Sequence, residues 1–361
     1  MSGQTELKVS APGRICLFGE HQDYFGLPII AAAVNKRIYV SGRKSESRKI
    51  KINLPDTGEY IEFPVEREIE YQKERDYLRS AFNILRRKGI VFASGWDCLL
   101  RGTIPINSGS ASSSALVVAW IKFLLEAAEH SQPVTPEEIA EMSFQAEVAE
   151  FKEPGGKMDH YSSALGGVVS IHFWDKMKVR RLKNRLGDFV LADSLQKKDT
   201  TGMLGSIKSH VLRGVDRVRE SIKDFSLLSP LNPGIEKKID ELPQDERRLL
   251  RGTLLTRDLT AEGEALFNAE DFDHERFGQL LFEQYAVLKK YLKLSTSKLE
   301  QMIDNSLRAG ALGAKINGSG GGGCIFAYAP RNAEKVARAL EKTGAKAYII
   351  QVDEGVRIDD N

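Results

Sequence analysis

Cysteine is scarce in this chain: Cys16, Cys98 and Cys324 are three in 361 residues, odd in number and far apart. They offer neither a disulfide framework nor a paired-cysteine metal knuckle, so a reducing cytoplasm is the expected home. Charge of one sign is also lacking. Fifty-two Lys plus Arg stand against fifty Asp plus Glu, a formal charge of +2, which argues against nucleic acid as a partner. No apolar run approaches the ~18 residues of a membrane span, and the polar first residues carry no apolar signal-peptide core. His130, His172, His210 and His274 stand in no metal-ligand spacing. The pattern G-x-x-x-x-G-K-[ST] is missing, which excludes an ordinary Walker phosphate loop. What remains is a globular composition, 42% hydrophobic and 28% charged, long enough for two domains and a generous core.

Periodicity predicts strands at 7–10, 29–42, 49–54 and 60–64, a charged helix over 75–88 and a strand at 96–101. Residues 115–125 are apolar nearly all round and read as a helix buried on most sides. Thr135-Pro136-Glu137-Glu138 is a helix start, with Thr as N-cap, Pro in the first turn and Glu at the capping-box position. That helix is expected to reach about Phe151, with a strand at 167–173 beyond it. A strand pair at 177–182 and 189–193 opens the second half. Helical patterns from 203 to 308, broken at 229–234, precede a closing alternation of strands at 314–316, 324–329 and 345–352 with a helix at 332–342.

Three segments carry chemistry. The first runs from Pro12-Gly13-Arg14 to Gly19-Glu20-His21-Gln22-Asp23-Tyr24 and offers polar groups for a small hydroxylated substrate. The second, Asn107-Ser108-Gly109-Ser110-Ala111-Ser112-Ser113-Ser114, leads into the buried helix. Its small side chains would let phosphate oxygens approach unpaired backbone N–H groups at the positive end of a helix dipole, and a serine hydroxyl can ligate Mg²⁺. The third, Gly155-Gly156-Lys157-Met158-Asp159-His160, reads as a short loop between helix and strand, whose glycines leave room for a substrate. Phosphoryl transfer needs a group that orients and deprotonates an attacking hydroxyl; the Asp159 carboxylate suits that task, with Arg14 as its cationic partner. Glu147, on the preceding helix, is a candidate toward Mg²⁺. Taken singly these residues have plainer readings: a capping loop, an Asx turn and a solvated helix face. Their joint presence favours a small-molecule kinase. Asn317-Gly318-Ser319-Gly320-Gly321-Gly322-Gly323 fits G-x-G-x-x-G, yet a strand follows it where a dinucleotide site needs a helix. It reads instead as a strand-to-strand loop packed close to another backbone or a phosphate. The cationic run from Lys176 to Arg185 reads as a solvated strand face.

In their order from Ala11 to Ala329, the first segment, the serine loop and the glycine run resemble the three motifs of the GHMP kinase family. The resemblance implies an α+β fold of two domains, here 1–180 and 181–361. The first would carry a left-handed βαβ unit and the second would be ferredoxin-like, with ATP and substrate meeting between them. Segments 12–24 and 156–159 are similar to galactokinase motifs. By that likeness Asp159 is the base and Arg14 its partner, Glu20, His21 and Asp23 contact sugar hydroxyls, and Gly156 lies beside the sugar. Ser112 or Ser113, with Glu147, matches the Mg²⁺ positions. Three departures stand out. The serine loop reads Gly-Ser-Ala-Ser-Ser-Ser where galactokinases favour Gly-Leu-Ser-Ser-Ser-Ala, His160 replaces a usual glutamine, and 25–33 resembles the mevalonate kinase version. The expectation is an ATP- and Mg²⁺-dependent kinase that phosphorylates a monosaccharide at its anomeric hydroxyl. The alternatives are mevalonate or a related alcohol, disfavoured by an acid at position 23 where a carboxylate substrate would want a cation, and a non-catalytic sensor of sugar and ATP.

Overall fold

The computed structural model describes residues 6–105, 109–128, 132–174, 176–196 and 200–360. Asn107 and Ser108 of the serine loop, and His130, lie outside the described residues. The first half comprises β1 (Leu7–Phe18), a 3-10 turn at Asp23–Phe25, β2 (Ile29–Ser45), β3 (Lys49–Leu54) and β4 (Glu59–Pro64). Helix α1 (Tyr77–Arg87), β5 (Gly95–Gly102), α2 (Ser112–Ala127) and α3 (Pro136–Phe144) follow, α3 running on through a π-turn at Gln145–Ala149. Next come α4 (Met158–Leu165), β6 (Val168–His172) and β7 (Lys178–Leu182). Strand β8 (Phe189–Asp193) precedes α5 (Thr200–Ser221), α6 (Pro233–Asp240), α7 (Gln244–Asn268), α8 (His274–Val287) and α9 (Ser297–Arg308). The chain closes with β9 (Gly313–Ile316), β10 (Cys324–Tyr328), α10 (Ala333–Glu341), β11 (Lys346–Ile350) and β12 (Arg357–Ile358).

The larger sheet is ordered β12-β1-β2-β5-β3-β4, with β6 and β7 added beside β2. Strands β3 and β5 run parallel across α1, a βαβ crossover. The smaller sheet is antiparallel in the order β11-β8-β10-β9, the ferredoxin-like arrangement. Strand β1 extends well past the expected stop at Ser10 because it is buried on both faces from Val9 to Phe18, so no period-2 alternation marks it. Helix α2 packs as anticipated, with Trp120 and Phe123 fully buried and the Trp120 indole N–H donating to Leu78 O at 3.0 Å. The Thr135 capping box also forms. Among the described residues, no helix is long and apolar enough to cross a membrane.

Two expectations need correcting. The strands at 177–182 and 189–193 are not partners: β7 pairs with β6 in the larger sheet, while β8 sits between β10 and β11 in the smaller. Their burial explains this, since β7 is mostly exposed and suits an edge, whereas β8 is buried over four of its five residues. The acidic segment is not a loop either. Asp159 lies in the first turn of α4, and the helix is buried at every position except Asp159. An eight-residue helix covered all round shows no amphipathic stripe to announce it.

A third core cluster fastens the two sheets together. Ile15, Phe18 and Ile30 from the first meet Phe189, Phe326 and Tyr328 from the second. Phe277 of α8 lies at the junction, edge-on to Phe18 at 5.7 Å and to Tyr328 at 5.0 Å between ring centroids. The tail after β11 returns to the larger sheet, where buried Arg37 donates to Asp353 Oδ2 and to Gly355 O, each at 2.7 Å. Phe277→Ala should cost about 3–5 kcal/mol of stability, read as a lower denaturant midpoint in equilibrium unfolding. A midpoint unchanged from wild type would show that this junction contributes little.

Candidate active site

Strand β1 and helix α4 cross where Arg14 meets Asp159. Arg14 Nε donates to Asp159 Oδ1 at 2.9 Å and Nη2 donates to Oδ2 at 3.0 Å, a two-pronged pairing. The guanidinium is 4% exposed. Burial works against its charge, but Asp159 first, then Cys16 and Glu20, outweigh it and raise the pKa above the ordinary value. Its third contact, Nη1 to Gly109 O at 2.6 Å, ties the pair to the serine loop. The Arg14 backbone N–H donates to Ser110 O at 3.2 Å. Gly13 permits that approach, since a Cβ there would stand 2.8 Å from Ser110 O.

The serine loop turns sharply before α2. Gly109 and Ala111 adopt positive φ, 89° and 58°, and for the alanine this costs about 1 kcal/mol. Ala111 is the N-cap of α2 and supplies no side-chain cap, so the first N–H groups of the helix stay open to a ligand. Gly109, Ala111 and all three of Ser112, Ser113 and Ser114 line one cavity of about 730 Å³, which Arg14 and Asp159 also line. Ser110, although in the loop, is buried at 1% exposure.

An acidic half adjoins the pair. Glu20, His21 and Asp23, singled out for sugar hydroxyls, all line the cavity. Asp23 reaches across to α4: its Oδ2 accepts the Met158 N–H at 3.2 Å and its Oδ1 accepts the Tyr24 N–H at 2.9 Å. A methyl group at position 156 would collide with this carboxylate. Gly156 therefore makes room for Asp23, rather than only for a substrate as the sequence suggests. Burial pushes the Asp23 carboxyl up to about 6, with the charge of Asp159 adding to it. His21 is held at φ 62°; its Nε2–H donates to Ser319 O at 3.2 Å, and the Tyr24 hydroxyl donates to Nδ1 at 2.8 Å. Glu20 is paired through Oε2 with Lys315. Its Oε1 has no N–H or O–H partner among the described residues.

Glu147, in the π-turn after α3, also faces the cavity. His160 Nε2–H donates to its Oε2 at 2.7 Å. Burial opposes the Glu147 charge, but His160 and then Ser113 and Ser114 overcome it and hold the carboxyl below its ordinary value. Of the two serines matched to Mg²⁺, Ser113 is thus the one beside Glu147, with Ser112 nearby in the cavity wall. No group of three or more His, Cys, Asp or Glu side chains that could hold a metal alone occurs among the described residues. One carboxylate and serine hydroxyls suit Mg²⁺, which takes few protein oxygens and completes its shell with phosphates and water. Ile38, Leu54, Tyr77, Leu100, Ile104 and Leu116 add apolar surface to the cavity lining.

Sequence reasoning overlooks Lys315 and gives Asn317, the head of the glycine run, no role of its own. A lone lysine in the short strand Gly313-Ala314-Lys315-Ile316 is the signal that could have found the first, since a buried ammonium needs a partner. The glycine run packs on backbone: a Cβ at Gly318 would stand 2.8 Å from Gly109 O, and the Gly321 N–H donates to Leu294 O at 2.8 Å.

The galactokinase galactose-binding signature matches residues 2–44, the GHMP kinases N terminal domain 76–167, and the GHMP kinases C terminal domain 264–346. A mevalonate kinase of Thermococcus gammatolerans is 31% identical, over 97% of this chain and 98% of its own. A galactokinase of Mannheimia succiniciproducens is 25% identical, over 98% of this chain and 95% of its own. Among solved structures, Lactococcus lactis galactokinase complexed with galactose has a TM-score of 0.83 at 22% identity, over 98% of this chain and 95% of that one.

The value of about 6 for Asp23 lies above its ordinary 3.8, so the ionised form is the costly one. The stability this group contributes is complete below the ordinary value and is lost as pH rises through about 6. Asp159→Asn removes the adjacent negative charge and releases Arg14, so the Asp23 titration, followed by carboxyl ¹³C NMR, should move downward. A titration that stays in place or rises would contradict the arrangement.

Proposed function

The chain belongs to the GHMP kinase family, and from that premise we propose that it is an ATP-dependent kinase that phosphorylates a monosaccharide at its anomeric hydroxyl. The observation that carries this reading is the pairing of buried Arg14 with cavity-facing Asp159, between the acidic half of the cavity and the serine loop. A sugar hydroxyl seated there would give its proton to Asp159 while its oxygen attacks the γ-phosphorus. The new O–P bond forms as the bond to the β,γ-bridging oxygen breaks, and ADP leaves. Arg14 orients the carboxylate and offers positive charge to the transferring phosphoryl group. Open N–H groups at the start of α2, with the serine hydroxyls, suit the phosphates of ATP, and the apolar wall from Leu54 to Leu116 suits its base. Glu147 and Ser113 would hold Mg²⁺, which offsets phosphate charge when bound.

A sugar is favoured over mevalonate by the charges beside Asp159. Asp23 and Glu20 are acceptors suited to hydroxyls. The cation there, Arg14, already has partners in Asp159 and Gly109 O, so a carboxylate substrate would meet repulsion without compensation. The galactose-binding signature over residues 2–44 leans the same way. The 31% identity to an archaeal mevalonate kinase favours mevalonate as the second reading.

An ADP-release screen across hexoses, pentoses and mevalonate separates these readings. Turnover of a sugar is expected; turnover of mevalonate alone would overturn the sugar assignment. No ADP release with any candidate acceptor, combined with measurable sugar binding, would favour the sensor. Asp159→Asn should lower kcat about 10²–10⁴-fold with the sugar dissociation constant little changed, measured by coupled assay and calorimetry. Retention of full turnover would remove Asp159 from the mechanism.

A further inference from the structure

We propose that the second domain sets the site through two positioning residues at the end of β9: Lys315 fixes the substrate-side carboxylate Glu20, and Asn317 fixes the serine loop. The inference rests on the kinase reading above and assigns residues that reading does not use.

Lys315 is fully buried in a four-residue strand whose neighbours are glycine, alanine and isoleucine. An ammonium in such a place costs several kcal/mol unless it is paired and hydrogen-bonded. Its Nζ is satisfied by Cys16 O at 2.9 Å and by Glu20 Oε2, and it lies over the Phe326 ring at 5.4 Å. Both acceptors belong to the first domain, 299 and 295 residues away in sequence. Glu20 is itself 1% exposed. With Oε2 held by Lys315, the Glu20 side chain is fixed in the wall of the cavity it lines.

Asn317 acts on the other half. It too is fully buried, and both ends of its amide are used. Oδ1 accepts the Cys16 N–H at 3.0 Å, while Nδ2 donates to Gly109 O at 3.1 Å. Gly109 O is also the acceptor for Arg14 Nη1. One carbonyl therefore receives the catalytic-strand arginine and the second-domain amide together, which pins the serine loop against Arg14. Cys16, two residues beyond Arg14, is bracketed by the same strand end, its N–H on Asn317 and its C=O on Lys315. The division of labour follows: both hold Cys16 of β1, while of the two Lys315 alone reaches the acidic half and Asn317 alone the phosphate half.

Calorimetry on the whole chain tests this, with the sugar of highest turnover in the screen and the non-hydrolysable ATP analogue AMP-PNP plus Mg²⁺ as the two probes. Lys315→Met should weaken sugar binding about ten-fold or more, as expected for losing a charged hydrogen-bond partner, and leave the analogue within about two-fold. Lys315→Arg should restore the sugar. Asn317→Ala should do the reverse, weakening the analogue by a similar factor and sparing the sugar. If Lys315→Met fails to fold, Lys315→Gln, which keeps a donor for Cys16 O but removes the charge that holds Glu20, should still show the selective loss of sugar. Variants that weaken both probes alike, or neither, would overturn the inference while the kinase reading stands. A wild-type chain that binds neither probe would overturn both.

Discussion

The site depends on one charge buried away from water. Arg14 cannot give up its proton, and at 4% exposure it must be met by an anion and by acceptors from several directions. Asp159 supplies the anion from 145 residues away, and Gly109 O the further acceptor. That requirement draws the N-terminal strand, the serine loop and helix α4 to a single point. Satisfying the guanidinium is therefore also what assembles the cavity. Loss of Asp159 would leave an uncompensated buried cation, so the residue has a structural claim on its position as well as the proposed chemical one.

Close backbone approach is the second half of the same constraint. Gly13 lets the serine loop lie on β1, Gly318 lets the second domain's loop lie on Gly109, and Gly156 lets Asp23 dock at the start of α4. The apolar cluster around Phe18, Phe277 and Tyr328 holds the two sheets at that distance. The second domain is thus a wall of the site, and its contacts reach Cys16, Gly109, Glu20 and His21 directly. The acidic half pays for this crowding, since burial, with the charge of Asp159 adding to it, raises the Asp23 carboxyl to about 6.

Much of this is legible in the chain before any coordinates. Arg14, Asp159, Glu147 and the serine loop stand out because charge, small residues and spacing fit one chemistry, and they do line one cavity. The elements with strong local signals, such as the Thr135 capping box and the apolar α2, fall where periodicity places them. Helix α4 escapes because it is short and covered on every side, and β1 reads too short for the same reason. Gly156 is only partly legible for a different cause: a glycine announces close approach without saying what approaches, and Asp23 packs against it while it also lines the cavity. The His160–Glu147 bond is equally silent, joining residues thirteen apart on separate elements, although the replacement of a usual glutamine by His160 flags the position. Strand partnership depends on which edges are covered, and no residue between 177 and 193 reports that the two strands there belong to different sheets.

A crystal structure of the chain with a sugar acceptor and a non-hydrolysable ATP analogue bound together tests the central claim most directly. The account predicts the anomeric oxygen within hydrogen-bonding distance of Asp159, in line with the γ-phosphorus, and the phosphates against the N–H groups at the start of α2. A ternary complex with the acceptor hydroxyl directed away from Asp159, or with the phosphates seated outside the serine loop, would contradict it.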